Sequence, residues 1–210
     1  KKRVLLIGII VVIVILVVLF FPIVREANDG GTVEYSALMY KVIDWNKLRL
    51  TGETKTGVEV YWFPNNFHSL DYYDDVLPPT AVVYVEAPDE TRVVLCNTGT
   101  YNWTEVREGT SMSAIGDAVS PTEMQYSETM QVSENEKMII DGVSNLKNIT
   151  IYDANTKAEL STGISYNESE NSMSVLGVEQ GEYFIEFEIQ NEQGSVKYPF
   201  KIQKIYVYIL

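Results

Sequence analysis

Histidine and cysteine are almost missing from this chain: its 210 residues include one of each, His68 and Cys96. A single cysteine excludes an intramolecular disulfide. A single histidine excludes a histidine-rich metal centre, and no ligand spacing surrounds His68. A serine–histidine relay would have to use the same His68, and no nucleophile elbow is present to meet it. Cys96 stands in the apolar run "RVVLC" and reads as a buried strand residue, not a nucleophile. Positive charge is also scarce. Three of the 16 basic residues stand at positions 1–3, so residues 25–210 set 13 bases against 29 acids, a net charge of −16. Such a surface repels nucleic acid and anionic lipid headgroups. It reads as a solubility device; an acidic patch for cations or a basic partner is the alternative.

Charge of either sign is absent from one stretch altogether. Val4 to Val24 is a run of 21 uncharged residues, nearly all Val, Ile, Leu or Phe. A helix crossing about 30 Å of hydrocarbon needs roughly 20 such residues. At roughly −0.3 to −0.6 kcal/mol for each, insertion is favourable by several kcal/mol. Lys1, Lys2 and Arg3 precede it, so the positive-inside rule keeps the N-terminus cytoplasmic and puts the rest outside, on a cell membrane crossed once. A cleavable signal has a shorter core and small residues at its cleavage site. Here the nearest site ends at Ala27, and Arg25 fills a position that wants a small residue. An uncut anchor is therefore predicted, with cleavage as the alternative.

What remains reads as β. In "GEYFIEFEIQ NEQG SVKYPFKI", apolar Tyr183, Ile185, Phe187 and Ile189 alternate with polar neighbours, as do Val196, Tyr198, Phe200 and Ile202. A turn at Asn191–Gly194 predicts Ile189 opposite Val196, Glu188 opposite Lys197, Phe187 opposite Tyr198 and Ile185 opposite Phe200. Pro199 cannot donate to a ladder, so its strand is an edge or its missing N–H points away from one. "AVVYVE" and "TRVVLC" flank a turn at Ala87–Glu90, and "KMII", "NITIYD" and "NSMSVL" come after it at sandwich spacing. Ser120, Pro121 and Glu123 predict one helical turn with a capping box. Nearer the start, "GGTVEYSALMYKVIDWNKL" reads as one long strand, and a polar turn, Thr51–Gly57, leads to "VEVYWF". "PNNFHSLDYYDDVLPP" reads as a loop or short turn structure, and Pro78–Pro79 as the boundary. "NDGG" at 28–31 reads as a flexible hinge. The expected class is mainly β, one N-terminal transmembrane helix followed by a β-rich ectodomain. Residues 1–24 form the cytoplasmic tip and span, 25–79 a membrane-proximal β module, and 80–210 an Ig-like antiparallel β-sandwich.

"DGGTVEYSALMYKVIDW" and "VYWFPNNFHSLD" resemble a module at the start of uncharacterised, membrane-anchored extracytoplasmic proteins of anaerobic Gram-positive bacteria. "GTYNW" (Gly99–Trp103), "DAVSP" (Asp117–Pro121) and "GEYFIEFE" (Gly181–Glu188) resemble their outer part. The likeness covers roughly residues 29–200. It implies an envelope location and a bacterial origin, and no reaction, cofactor or catalytic residue.

Several triplets invite chemistry and fail on context. Ser144-Asn-Leu-Lys147, Ser165-Tyr-Asn167 and Lys55-Thr-Gly57 evoke a penicillin-binding enzyme, but Ser144 precedes a strand instead of opening a helix, and the order is wrong. Asp71, Asp74 and Asp75, or Asp153, Asn155 and Glu159, offer oxygens for calcium without matching an EF-hand loop. Asn102, Asn148 and Asn167 head glycosylation sequons. No metal, cofactor or catalytic set is expected. The aromatics are the richer signal: Tyr61, Trp62, Phe63, Phe67, Tyr72 and Tyr73 fall within 13 residues, and Tyr101 and Trp103 lie further on. They fill a small core or form an exposed patch for a protein or cell-wall glycan partner. The predicted function is a non-enzymatic surface protein that binds or scaffolds such a partner. The alternatives are an accessory or regulatory subunit of a membrane envelope complex and, behind it, an extracytoplasmic enzyme. An all-aliphatic helix whose only small residue is Gly8 offers little for helix association, which weighs against the subunit.

Overall fold

The computed structural model shows the N-terminal apolar run as an α-helix, α1, over Lys2–Phe20. The structure describes residues 2–49, 52–87, 90–134 and 136–205, without the side chains of Lys2 and Val4. Phe21 still donates its N–H to the Val17 carbonyl at 2.9 Å, and Pro22, which has no N–H, ends the ladder. The helix is thus shorter than the expected 4–24. Ile23 and Val24 open strand β1 (Ile23–Glu26) instead. Contacts divide the chain into two units, Lys1–Asp74 and Asp75–Leu210. Pro78–Pro79 lies just inside the second unit, because Val76 is already part of that unit's core.

In the first unit, β1, β2 (Val33–Ser36), β3 (Tyr40–Leu48) and β4 (Thr54–Trp62) form an antiparallel sheet in that order. The expected single strand from Gly30 to Leu48 is two strands folded on a turn at 37–39. Ala37 donates to the Tyr40 carbonyl at 2.8 Å, and the Asn66 side chain donates to the carbonyls of Ala37 and Leu38 at 3.0 and 3.1 Å. The 28–31 stretch is no hinge; it is the β1–β2 connection. The Asp29 carbonyl accepts from Leu48 at 2.8 Å, and its carboxylate accepts from Thr32 at 3.1 Å. A Cβ at Gly30, φ +120°, would stand 2.9 Å from the Asn46 carbonyl oxygen, so only glycine lets the backbones approach. The Thr51–Gly57 turn is displaced by β4, which starts at Thr54, and Thr51 lies outside the described residues. Alternate residues of β3 put Ile43 and Trp45 on one face, where Tyr73, Tyr61, Leu70 and Tyr72 complete a small core. The segment after β4 folds back over that face, with a 3₁₀ turn at Leu70–Tyr73.

The second unit is two sheets face to face. One has the order β13-β14-β10-β5-β6, with β5 Val82–Glu86, β6 Thr91–Leu95, β10 Met138–Asp141, β13 Ile164–Asn167 and β14 Ser172–Val175. The other has the order β12-β11-β15-β16-β7-β8, with β7 Tyr101–Arg107, β8 Thr110–Gly116, β11 Leu146–Asp153, β12 Glu159–Leu160, β15 Gly181–Asn191 and β16 Gly194–Ile205. β9 (Met130–Ser133) runs parallel to the end of β16. Inward residues of both sheets, among them Val83, Met138 and Met173 on one and Ile185, Phe187 and Phe200 on the other, share one core. The architecture is therefore a β-sandwich, mainly antiparallel.

The β15–β16 register is the expected one: Ile189↔Val196, Glu188↔Lys197, Phe187↔Tyr198 and Ile185↔Phe200. β16 is not an edge. Lys197 donates to the Thr100 carbonyl at 3.1 Å, and the Pro199 carbonyl accepts from Asn97 at 3.0 Å. Odd positions thus face the irregular 97–100 segment, where the N–H that Pro199 lacks breaks no strand ladder. Two details differ from expectation. Lys197 pairs diagonally with Glu186 at 2.9 Å, not with Glu188 opposite. The Ser120 segment is a turn without a helix: Glu123 and Met124 both donate to the Ser120 carbonyl. It leads to Tyr126, whose ring stacks on Phe184 at 5.3 Å and covers what alternation marks as a wet face. In the Ala87–Glu90 turn, 88–89 lie outside the described residues, and Ala87 donates to the Glu90 carbonyl.

Candidate functional site

The first unit sorts the clustered aromatics by strand parity. Tyr61 and Trp62 are neighbours on β4, so they point to opposite faces. Tyr61 turns inward, 4.0 Å from the Tyr73 ring, and donates its hydroxyl to Glu59 at 2.6 Å. Trp45 donates its indole N–H to the same carboxylate oxygen at 2.8 Å. Tyr73 is 8 % exposed, donates its hydroxyl to the Asn65 carbonyl and accepts from the His68 N–H at 3.3 Å. Tyr72 is half-buried and stacks on the His68 ring at 3.7 Å. These three tyrosines lie on the core side. Trp103, 2 % exposed, lies in the core of the second unit. Tyr101, in that same unit, is half-buried with its ring over Gly116, where a Cβ would come within 2.1 Å.

Trp62 and Phe67 remain outside, 60 % and 59 % exposed, joined by Phe63 at 57 %. Phe63 and Phe67 meet edge to face at 5.9 Å, and Trp62 lies 5.9 Å from Tyr40. Tyr40 in turn is 6.4 Å from Phe20 at the end of α1 and donates its hydroxyl to the Phe20 carbonyl at 3.2 Å. Leu38, at the tip of the β2–β3 turn, and Phe21, just past α1, are exposed beside them in the chain's path. Sequence reasoning missed Leu38 and Phe21. The one signal available was that 17–24, 35–40 and 60–67 all lack charge, a pattern split over three segments.

The inner face is electrostatically tied. Lys41, 5 % exposed, donates to the His68 carbonyl at 2.6 Å and lies 3.2 Å from Glu34. Burial alone would raise the Glu34 carboxyl. Hydrogen bonds from Ser36 and Lys41, with the charges of Lys41 and Arg25, outweigh it and hold the group below the usual range. Asp74 takes Lys47 and, at 3.2 Å, Lys55, whose ammonium also sits 3.8 Å over the Trp45 ring. These contacts fasten the 64–74 segment to the sheet and engage Asp74, one of the carboxylates weighed for calcium. Asp153 caps its own turn, accepting from Thr156 and Asn155; those bonds, the Thr156 N–H first, lower its pKa. Among the described residues no cluster of three or more metal-ligating side chains occurs. Ser144 precedes β11, and Lys147 on that strand donates to Gln190. Burial pushes the Cys96 thiol well up, which suppresses the thiolate.

The second feature is α1 itself. Its described apolar side chains from Leu5 to Val18 are about half exposed or more on every side. Among the described residues no helix is long and apolar enough to cross a membrane. The helix ends at Phe20, so its apolar part falls short of the roughly 20 residues a span needs. The apolar sequence continues beyond it to Val24. No family model matches the chain, and no curated protein or solved structure matches it.

Proposed function

We propose that this protein is a single-pass, membrane-anchored surface protein. In this reading α1 crosses the membrane, and Phe21 and Pro22 mark its outer end. Lys1–Arg3 stay on the cytoplasmic side, and both β units lie outside, where they bind or scaffold a protein or glycan partner without catalysis. The carrying observation is the all-round exposure of the apolar side chains of α1 from Leu5 to Val18. A helix that is apolar on every side is stable only where something apolar surrounds it. The strand order of the second unit, with β9 parallel to the last strand and β15–β16 at the centre, supports an immunoglobulin-like reading of that sandwich. A partner surface in that unit is supported by Val106 and Ile115, 73 % and 78 % exposed on the outer side of the β7–β8 hairpin. The resemblance to extracytoplasmic proteins of Gram-positive bacteria supports the envelope location. Alkaline carbonate extraction of membranes carrying the full chain tests the anchor. Retention in the pellet is expected; release into the supernatant would overturn the reading.

A further inference from the structure

Three segments converge at the C-terminal end of α1. Met39 donates its N–H to the Leu19 carbonyl at 3.2 Å, and Tyr40 holds the Phe20 carbonyl with its hydroxyl. Phe63 donates to the Met39 carbonyl at 3.0 Å, and Asn66 clasps the Ala37 and Leu38 carbonyls. The β2–β3 turn is therefore tied by hydrogen bonds to the helix end, and the 62–67 loop to that turn. Of the exposed residues there, Leu38, Trp62, Phe63, Pro64 and Phe67 are apolar and Asn65 is polar but uncharged, with Phe21 71 % exposed next to the helix. None of the residues 17–24, 35–40 or 60–67 carries a charge, in a chain with 29 acids.

We infer that this end of the first unit is a membrane seat: Trp62, Phe63, Phe67, Leu38 and Phe21 insert into the headgroup–acyl boundary of the outer leaflet. The inference rests on the spanning role proposed for α1. If α1 crosses the bilayer, its last turn lies at the outer interface, and the β2–β3 turn bonded to it, with the 62–67 loop bonded to that turn, lies close to the same depth. Trp and Tyr concentrate at that level because an amphipathic ring suits one apolar and one wet side. Tyr40 and Trp62 stand there. The sources of attraction are apolar burial and ring placement, since an acidic body gains nothing from anionic headgroups. Two attachments, a helix and a seat, would fix the tilt of the first unit on the membrane, which a helix on a free tether could not do.

The test uses the full chain in phosphatidylcholine vesicles that contain lipids brominated either high or deep in the acyl chain. Trp62 is one of three tryptophans; Trp45 and Trp103 are each 2 % exposed inside the two cores and serve as an internal constant. The expected result is quenching by the high label, weaker quenching by the deep one, and loss of both in Trp62→Phe. Red, solvent-like Trp62 emission without quenching would overturn the seat. So would blue-shifted emission without quenching, which would mean that a second copy or another protein covers the patch. Carbonate extraction of the same vesicles separates the two levels. A retained but unquenched protein refutes the seat alone; a released protein refutes the span and the seat with it.

Discussion

Phe187→Ala would test whether the two units hold separate cores. The ring is fully buried, 5.3 Å from the Tyr198 ring and 6.3 Å, edge on, from Phe200. Truncating a buried phenylalanine costs about 3–5 kcal/mol, which combines lost transfer energy with the cavity left behind. The upper part of that range is expected here, because Phe187 sits mid-strand between two fully buried rings that cannot collapse without moving β16. At about 1.4 kcal/mol per factor of ten, amides that exchange through global opening should speed up roughly a hundred- to few-thousandfold. Hydrogen exchange read by mass spectrometry on the full chain in lipid nanodiscs would resolve this by peptide. Peptides from β15, β16 and β11 should lose protection, while those from β3 and β4, whose core is Ile43, Trp45 and Tyr73, should not change. Unchanged exchange in β15 and β16 would refute the packing argument. Equal acceleration in β3 and β4 would refute the separation of the cores.

Gly194→Ala should be more damaging than an ordinary turn substitution. At φ +144° its Cβ would stand 1.9 Å from the Asn102 carbonyl oxygen, so β7 or the turn must move, and a fall in melting temperature of many degrees is expected by circular dichroism. Cys96 should resist iodoacetamide in the folded protein and react once denatured, because burial both raises its pKa and blocks access; fast labelling of the native state would contradict that placement. The Glu34 carboxyl is depressed on folding, so its contribution is present above the unfolded carboxylate pKa and is lost as pH falls through the lower folded value. Glu34→Gln should therefore destabilise the first unit at neutral pH and converge on the parent in acid, as read by denaturant midpoints across pH. Asp74→Asn should loosen the 64–74 segment by about 1–3 kcal/mol, since Lys47 and Lys55 lose a charged partner; limited proteolysis near Phe67 would report it.

The β15–β16 hairpin was legible because three signals coincide there: period-two alternation, a polar turn and matched charges. Where one distant residue decides, local reading failed. Nothing within Ala37–Met39 marks a turn; Asn66, far along the chain, holds its carbonyls. The 28–31 glycines looked like slack because composition cannot show that Asn46 crosses them within contact. The Ser120 signals were locally sound, but the residues after Glu123 have no helical apolar period, and Tyr126 is drawn onto Phe184 instead. The aromatic cluster was visible as a cluster, yet its division was not. The loop at 64–74 folds back over one face of β3 and β4, so Tyr61 and Tyr73 go in while Trp62 and Phe67 stay out. The apolar seat is not marked in the sequence because its members are separated by tens of residues and meet only where the 62–67 loop bonds to the β2–β3 turn and that turn to the end of α1.

The account stands or falls on the fate of the N-terminal apolar run in the cell. Intact mass of the protein recovered from native cells, taken separately from membrane and soluble fractions, reads it directly. One species is expected, in the membrane fraction, that still carries α1. A soluble species beginning near Asn28 would contradict it.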